Sequence, residues 1–287
     1  MTGTVRRRWD LPVALGTLVL AVLVLVALPA PGRPSRLVAT PPPLRVCADP
    51  NNLPFSNQRR EGFENRIAAL LAAELGRPLR YVWLPERRGY VRRTLKAGIC
   101  DVLMGVPEQL GAILATRPYY RSTYVFLSRT SDPRVVRSFD DSLLRRLRIG
   151  VHLIGDDYQN TPPAQALARR HIVENVVGFS IYGDYAEPNP PSRLVEAVAK
   201  GTIDLAIVWG PFAGYFGPRQ LVKLRMAPVQ PPSDGPAIPF TFGIALGVAR
   251  VDTLLLRQLD DILARRADRI DRILEQYGVP RVSPPAT

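Results

Sequence analysis

Two distant stretches of the chain carry the same pattern of residue types. Residues 96–105 read Lys-Ala-Gly-Ile-Cys-Asp-Val-Leu-Met-Gly, and residues 200–210 read Lys-Gly-Thr-Ile-Asp-Leu-Ala-Ile-Val-Trp-Gly. In each copy a predicted helix ends at a glycine, an aspartate follows, and then comes an apolar run that ends at a second glycine. A continuous apolar run is typical of a parallel strand that is covered on both faces. The repeat therefore predicts two similar α/β lobes.

Strand-like and helix-like stretches alternate around both copies. The predicted strands are 44–48, 80–84, 101–106, 147–151, 172–177 and 240–248, and the predicted helices are 67–75, 90–97, 162–170 and 252–277. The β-α-β-α-β order predicts parallel sheets with right-handed crossovers, and the strand at 240–248 is expected to return to the first lobe. A ligand crevice is then expected where the parallel strands end at their carboxyl ends.

The N-terminus has the pattern of an export signal. Arg6, Arg7 and Arg8 precede a stretch from Leu11 to Ala30 that carries no charge. Positive charges before an apolar block are typical of exported proteins, and this block nearly matches a membrane-spanning helix in length. The leader is either removed or retained as an inner-membrane anchor, and a proline-rich tether follows it. We therefore expect a periplasmic location.

The charge balance is basic, with 38 Lys and Arg against 25 Asp and Glu and a net charge of +13. Only three of these cations are lysine, and the arginines form no long run, so we interpret the bias mainly as genome composition. A nucleic-acid partner is not favoured. Removal of residues 1–43 takes away five arginines and one aspartate, which leaves 33 basic and 24 acidic residues and a charge of +9.

Both cysteines, Cys47 and Cys100, follow the leader. Oxidising conditions outside the cytoplasm permit a disulfide between them. Both border strands that should be neighbours in the first lobe, although Cys47 ends its strand and Cys100 starts its own. The alternatives are a Cys47–Cys100 bridge and two buried free thiols.

Polar and aromatic residues follow the predicted strands, where a crevice is expected. A few polar groups among aromatic side chains make a plausible ligand pocket, although turn formation and hinge packing explain several of the same residues. The cleft candidates are Asp49, Asn51, Asn52, Phe55, Tyr119, Tyr120, Arg121 and His152.

An enzyme finds little support in the sequence. The two histidines are His152 and His171, and the chain has no Gly-x-Ser-x-Gly elbow, phosphate-binding glycine loop, HExxH motif or metal-spaced His/Cys cluster. We therefore expect no catalytic residue, no metal and no cofactor of the protein's own.

Several long motifs resemble one family. They are 45–57 (Arg-Val-Cys-Ala-Asp-Pro-Asn-Asn-Leu-Pro-Phe-Ser-Asn) with 61–65 (Glu-Gly-Phe-Glu-Asn), Cys100-Asp101-Val102, 116–126 (Thr-Arg-Pro-Tyr-Tyr-Arg-Ser-Thr-Tyr-Val-Phe), 184–190 (Asp-Tyr-Ala-Glu-Pro-Asn-Pro) and 208–216 (Val-Trp-Gly-Pro-Phe-Ala-Gly-Tyr-Phe). They resemble the periplasmic-binding-protein-like accessory proteins associated with quinoprotein (PQQ-dependent) methanol and alcohol dehydrogenases. The resemblance covers nearly all of residues 44–278.

The resemblance implies an α/β, two-lobed type-II periplasmic binding fold and a place beside a PQQ-dependent dehydrogenase and its cytochrome c. The expected ranges are a leader at 1–31, a tether at 32–43, lobe 1 at 44–130 plus 238–278, lobe 2 at 131–237 and a tail at 279–287. Exposed aromatics on the crevice rim suit a protein interface. The partner-binding candidates are Tyr182, Tyr185, Trp209, Tyr215 and Phe216.

One departure from amino-acid receptors is informative. Those receptors usually follow the third strand's glycine with a threonine and, a few residues on, an arginine that clamps the ligand carboxylate. Here Gly105 is followed by Val-Pro-Glu-Gln-Leu-Gly, and the next arginine is Arg117. A bidentate clamp needs a guanidinium at that place, so ordinary amino-acid binding is not expected. The first hypothesis is a non-catalytic accessory of the dehydrogenase. The alternatives are an ABC-importer receptor for an unknown small ligand and, more weakly, an unrecognised cleft enzyme.

Overall fold

A computed structural model describes residues 41–154, 160–181 and 186–283. The predicted leader and most of the predicted tether lie outside these residues. The strands are β1 (Leu44–Ala48), β2 (Asn51–Asn52), β3 (Ser56–Asn57), β4 (Leu79–Trp83), β5 (Val102–Pro107), β6 (Leu114–Ala115), β7 (Tyr120–Arg129), β8 (Ile149–Leu153), β9 (Val176–Ser180), β10 (Leu205–Trp209), β11 (Leu224–Pro228) and β12 (Thr241–Val248). The α-helices are α1 (Phe63–Glu74), α2 (Tyr90–Arg93), α3 (Pro162–Arg169), α4 (Arg193–Lys200), α5 (Gly210–Phe216), α6 (Thr253–Arg265) and α7 (Ala267–Gln276).

The predicted repeat is confirmed in the sheet topology. In the first copy β1 lies between β4 and β5 and pairs with both in parallel. In the second copy β8 lies between β9 and β10, again in parallel. Each β-α-β-α-β unit therefore builds the same three-stranded order, with the first strand in the middle.

The long strand β7 connects the two copies. Its residues 120–123 pair with β12, and its residues 124–129 pair with β10 and β11, all antiparallel. The strand changes partners between Thr123 and Tyr124. As predicted, β12 returns to the first copy, where it also pairs with β5. All the described residues belong to one compact unit, so the exact lobe boundaries stay predictions.

Separate cores support the two copies. One apolar cluster packs β1, β5 and β12 against α1, α6 and α7, around Phe63, Leu71 and Leu259. Two further clusters lie on either side of the second three-stranded unit, one including Leu167 and the other Leu194. Apolar runs covered on both faces explain why the sequence of these strands shows no alternation.

Three predicted elements are corrected. The strand expected at 172–177 is β9 at Val176–Ser180, because His171 has φ of 57° and turns the chain there. The helix expected at 90–97 ends at Arg93, where Thr94 leaves helical geometry at φ −115° and ψ −93°. The single helix expected at 252–277 is two helices, α6 and α7, broken at Arg266 by its φ of −111° and ψ of 16°.

A disulfide joins Cys47 and Cys100, with their Cα atoms 5.7 Å apart. Cys47 lies in β1 opposite Leu103 of β5, and Cys100 precedes β5 by two residues. Both cysteines are buried in a small core with Leu95 and Leu103. The bridge fixes the segment that enters β5 to the middle strand of the first copy.

Candidate functional site

A cavity of 370 Å³ lies between the two copies, at the carboxyl ends of their strands. Several of its lining residues follow or end β1, β5, β8 and β10, as the topology of open α/β sheets predicts, and others come from α1, β7 and β12. The described lining residues are Asp49, Asn51, Asn52, Phe55, Glu64, Glu86, Met104, Gly105, Pro107, Tyr120, Tyr124, His152, Ile154, Ile181, Pro190, Pro191, Trp209, Phe212, Phe242 and Ile244.

The turn after β1 supplies the polar rim of the cavity. The carboxylate of Asp49 accepts a hydrogen bond from the backbone N–H of Asn51 at 2.8 Å and another from the backbone N–H of Glu86 at 2.7 Å. The Ser56 hydroxyl donates to the Asp49 carbonyl at 2.8 Å. Asp49 is itself buried, so it orders the turn and holds the loop that carries Glu86.

Asn51 bridges the two copies across the mouth of the cavity. Its side-chain amide donates to the carbonyl of Glu187 at 2.7 Å, and its side-chain oxygen accepts from the N–H of Asn189 at 3.2 Å. Both partners are backbone groups of the segment that precedes α4. One side chain therefore ties the first turn of the first copy to the second copy.

Glu64 lies in the first turn of α1 and is only 7% exposed, although it lines the cavity. Burial and the charge of Glu86 raise the pKa of Glu64 well above its usual range, a hydrogen bond from the Tyr119 hydroxyl opposes them, and the charge of Asp49 adds a smaller rise.

Glu86 lies in the loop after β4 and reaches into the same cavity. The cleft walls around its carboxyl group, and then the like charge of Asp49, raise the pKa of Glu86 to about 7, although the residue as a whole is exposed at the cleft mouth. Asn52 partly opposes this shift through a hydrogen bond. Two carboxyl groups with raised pKa values in one cleft mark a candidate functional site.

Aromatic side chains form about half of the remaining wall. Phe55 packs edge-on against Phe212 of the other copy, with ring centroids 5.2 Å apart. Trp209, at the end of β10, packs against Tyr124 at 5.3 Å and against Phe242 at 5.8 Å. His152 packs against Phe212 at 5.3 Å, and its burial lowers its pKa to about 4. The cleft histidine is therefore neutral at physiological pH.

The structure brings together six of the eight predicted cleft residues. Those that line the cavity are Asp49, Asn51, Asn52, Phe55, Tyr120 and His152. Arg121 does not, because successive residues of β7 point to opposite faces, and its guanidinium contacts both Glu108 oxygens at 2.7 Å elsewhere. Tyr119 packs behind Tyr120 and lines a groove beside Asp260 instead.

The predicted partner-binding aromatics are not equivalent. Phe216 is 5% exposed and belongs to a core cluster, so it is not a rim residue. Trp209 and Tyr215 are half-buried, and the Tyr215 ring stacks on Tyr277 with centroids 5.6 Å apart. The candidates Tyr182 and Tyr185 lie outside the described residues.

Sequence reasoning missed Glu64 and Glu86. Glu64 lies within the quoted motif at residues 61–65, but nothing in that motif shows that its helix begins against the end of β5. Glu86 stands among arginines in a loop, where a solvated charge is the usual interpretation.

The described part of the chain has no group of three His, Cys, Asp or Glu residues that could hold a metal ion. None of the described helices has the length and apolar character needed to cross a membrane.

Comparison with known proteins identifies the family. The chain is 33% identical over 249 residues to Protein MoxJ of Methylorubrum extorquens, a match that covers 83% of this chain and 81% of that protein. This chain belongs to the MoxJ family. The resemblance seen in the sequence motifs is thereby confirmed. No family model matches the chain.

Solved structures of MoxJ-like proteins agree with the fold. The crystal structure of MxaJ from Methlophaga aminisulfidivorans MPT matches with a TM-score of 0.72 at 27% identity and covers 83% of this chain and 100% of that one. The periplasmic binding protein XoxJ from Methylobacterium extorquens AM1 matches with a TM-score of 0.68 at 33% identity, over 84% of this chain and 100% of that one. The chain has the type-II periplasmic binding fold, and its family is associated with methanol oxidation.

Proposed function

We propose that this MoxJ-family chain is a non-catalytic periplasmic accessory of a PQQ-dependent methanol or alcohol dehydrogenase. It acts by protein contact, in maturation, activation or docking of the dehydrogenase or its cytochrome c. The observation that carries the proposal is the 33% identity to MoxJ over most of both chains. The state of His152 supports binding over catalysis, because this histidine is buried against Phe212 and kept neutral.

The second copy offers an apolar surface for such a partner. Leu221 is fully exposed, Met226 is 42% exposed and Val222 is 40% exposed, and all three line one groove beside the end of α5. Exposed apolar side chains that cluster in this way are typical of interaction sites. We call these three residues the α5 patch. It adds to Trp209 and Tyr215 as candidate contact residues, whereas Phe216 is buried and is withdrawn.

The accessory role is tested by affinity purification of the tagged protein from periplasm of methanol-grown cells, followed by mass spectrometry. A PQQ-dependent dehydrogenase or its cytochrome c should co-purify, and its methanol-dependent activity should fall in a deletion strain. Recovery of neither protein, together with unchanged activity in the deletion strain, would reject the accessory role.

The contact surface is tested separately with charged and truncated variants. Leu221→Asp with Met226→Asp should weaken co-purification, because each places a charge in a desolvated apolar contact. Val251→Asp is the matched control, since Val251 is 91% exposed but lies two residues before α6. Trp209→Ala with Tyr215→Ala tests the aromatic candidates. Equal recovery of all folded variants would remove these surface assignments.

A receptor for a small solute, delivering to an ABC importer, is the second candidate, and the cavity of 370 Å³ favours it. The two functions differ in gene neighbourhood: dehydrogenase and cytochrome genes accompany the first, and permease and ATPase genes accompany the second. A deletion strain that loses uptake of one solute but keeps dehydrogenase activity would support the receptor.

A further inference from the structure

The charged side chains that line the cavity between the two copies are all acidic. Asp49, Glu64 and Glu86 all line it, and the described residues of its wall include neither Arg nor Lys. A buried anionic ligand needs a cation or several donors to replace its water shell. These walls instead favour a ligand that brings the positive charge itself.

The carboxyl groups of the cavity differ in their hydrogen bonds. Asp49 is occupied by the backbone N–H groups of Asn51 and Glu86, so it shapes the wall. Glu64 is only 7% exposed and lines the cavity, and the Tyr119 hydroxyl is the hydrogen-bond donor that lowers the pKa of its carboxyl group. A carboxylate has about four acceptor sites. Most of the acceptor capacity of Glu64 is therefore left for a ligand.

The rest of the wall fits an apolar body and favours a nearby cation. Tyr120, Trp209 and Phe212 present aromatic rings to the same space. Aromatic faces attract ammonium and guanidinium groups in addition to packing against hydrocarbon. Asn51 ties the two copies together at the mouth, which suits an enclosed small molecule better than a polypeptide.

We propose that this cavity binds a small organic cation, a protonated amine or guanidinium on an apolar body without a carboxylate. The charged group meets Glu64 and Glu86, and the body packs among the aromatic side chains. This inference goes beyond the accessory function and does not depend on it, since it concerns the isolated protein.

Calorimetry with three matched probes tests the charge requirement. Phenethylamine carries the cation, 2-phenylethanol replaces it with a neutral hydroxyl, and phenylalanine adds a carboxylate to the amine. Phenethylamine should bind saturably, and each of the other two should bind at least about tenfold more weakly, a difference of about 1.4 kcal/mol. The proposal is overturned if phenethylamine shows no saturable heat at millimolar concentration, or if either other probe binds equally well.

Isosteric variants test the assigned residues. Glu64→Gln and Glu86→Gln should each weaken phenethylamine binding by about tenfold. Glu174→Gln is the matched control, because Glu174 is exposed in the second copy and does not line the cavity. Thermal unfolding of every variant checks the fold. If Glu64→Gln does not fold, Glu86→Gln still tests the proposal, because Glu86 lies in an exposed loop. Unchanged binding in a folded Glu86→Gln variant would remove the assigned contact. A negative result here leaves the co-purification experiment unaffected, so the two proposals fail independently.

Discussion

The carboxyl group of Glu64 occupies the space that a side chain at position 105 would need. Gly105 has φ of 65°, a conformation that L-residues with a side chain rarely adopt. Together these two features let the first turn of α1 approach the end of β5 and place a carboxyl group in the cleft wall. The glycine that closes the apolar run in the sequence repeat is therefore part of the construction of the site.

Replacement of Gly105 by alanine should destabilise the protein through both strain and contact with Glu64. The left-handed conformation alone costs about 1–2 kcal/mol, and displacement of the Glu64 carboxyl group from its buried position adds to this cost. Gly76→Ala is the matched control, since Gly76 has φ of 63° and open space around its Cβ position. Denaturant unfolding should show a larger loss for Gly105→Ala, and Glu64→Ala should recover part of it in the double variant. Equal losses at positions 76 and 105 would contradict the close approach.

The disulfide should contribute substantially to stability. Cys47 and Cys100 are 53 residues apart, and the chain-entropy model gives about 4 kcal/mol for closing a loop of this length. Thiol labelling of the unreduced, denatured protein should find no free thiol, and the Cys47→Ser with Cys100→Ser variant should unfold at lower denaturant. Two labelled thiols in protein isolated from the periplasm would contradict the bridge.

His152 should make the fold sensitive to mild acid. Burial lowers its pKa to about 4, whereas a histidine in the unfolded chain has a pKa near its ordinary value of 6.5. The unfolded state therefore binds more protons between these values, so stability is complete above about pH 6.5 and is lost as the pH falls toward 4. The loss attributable to this one group reaches about 3 kcal/mol at 1.36 kcal/mol per pKa unit.

Unfolding free energies of the His152→Gln variant, measured from pH 7 to pH 4, check this dependence. The variant should lose less stability over that range than the unmodified protein. His171→Asn is the control, because His171 is exposed and asparagine tolerates its positive φ. A pH profile that is identical in all three proteins would show that His152 does not carry the effect.

Much of the fold could be predicted because its elements are long and its connections are regular. The apolar runs that became β5 and β10 are buried on both faces, and such runs are visible without an alignment. The errors lie at element ends that single residues set through their backbone angles, as at Arg266 and His171. At Arg266 the helical apolar pattern continues through the one residue whose angles break the helix. The spacing of apolar residues carries no information on such single-residue breaks.

The candidate site was predicted less completely, for a physical reason. Residues that directly follow a strand, such as Asp49 and His152, are placed by the topology alone. Glu64 reaches the cleft only because α1 begins against Gly105, and Arg121 leaves it because β7 alternates its side chains. These facts depend on how elements pack in three dimensions. Phe216 illustrates the same limit, since its motif does not show which face of α5 is buried.

The bridge made by Asn51 should hold the cleft in the observed arrangement. Asn51→Ala removes both hydrogen bonds to the second copy, each worth about 1 kcal/mol, so the N–H of Asn189 should exchange with solvent about fivefold faster or more. Asn51→Asp is the matched variant. It keeps an acceptor for the N–H of Asn189 but cannot donate to the carbonyl of Glu187, so Asn189 should retain more of its protection. Hydrogen exchange resolved at Asn189 measures the difference. An unchanged rate in Asn51→Ala would mean that the two copies are held by their aromatic contacts, such as Phe55 with Phe212, and not by this side chain.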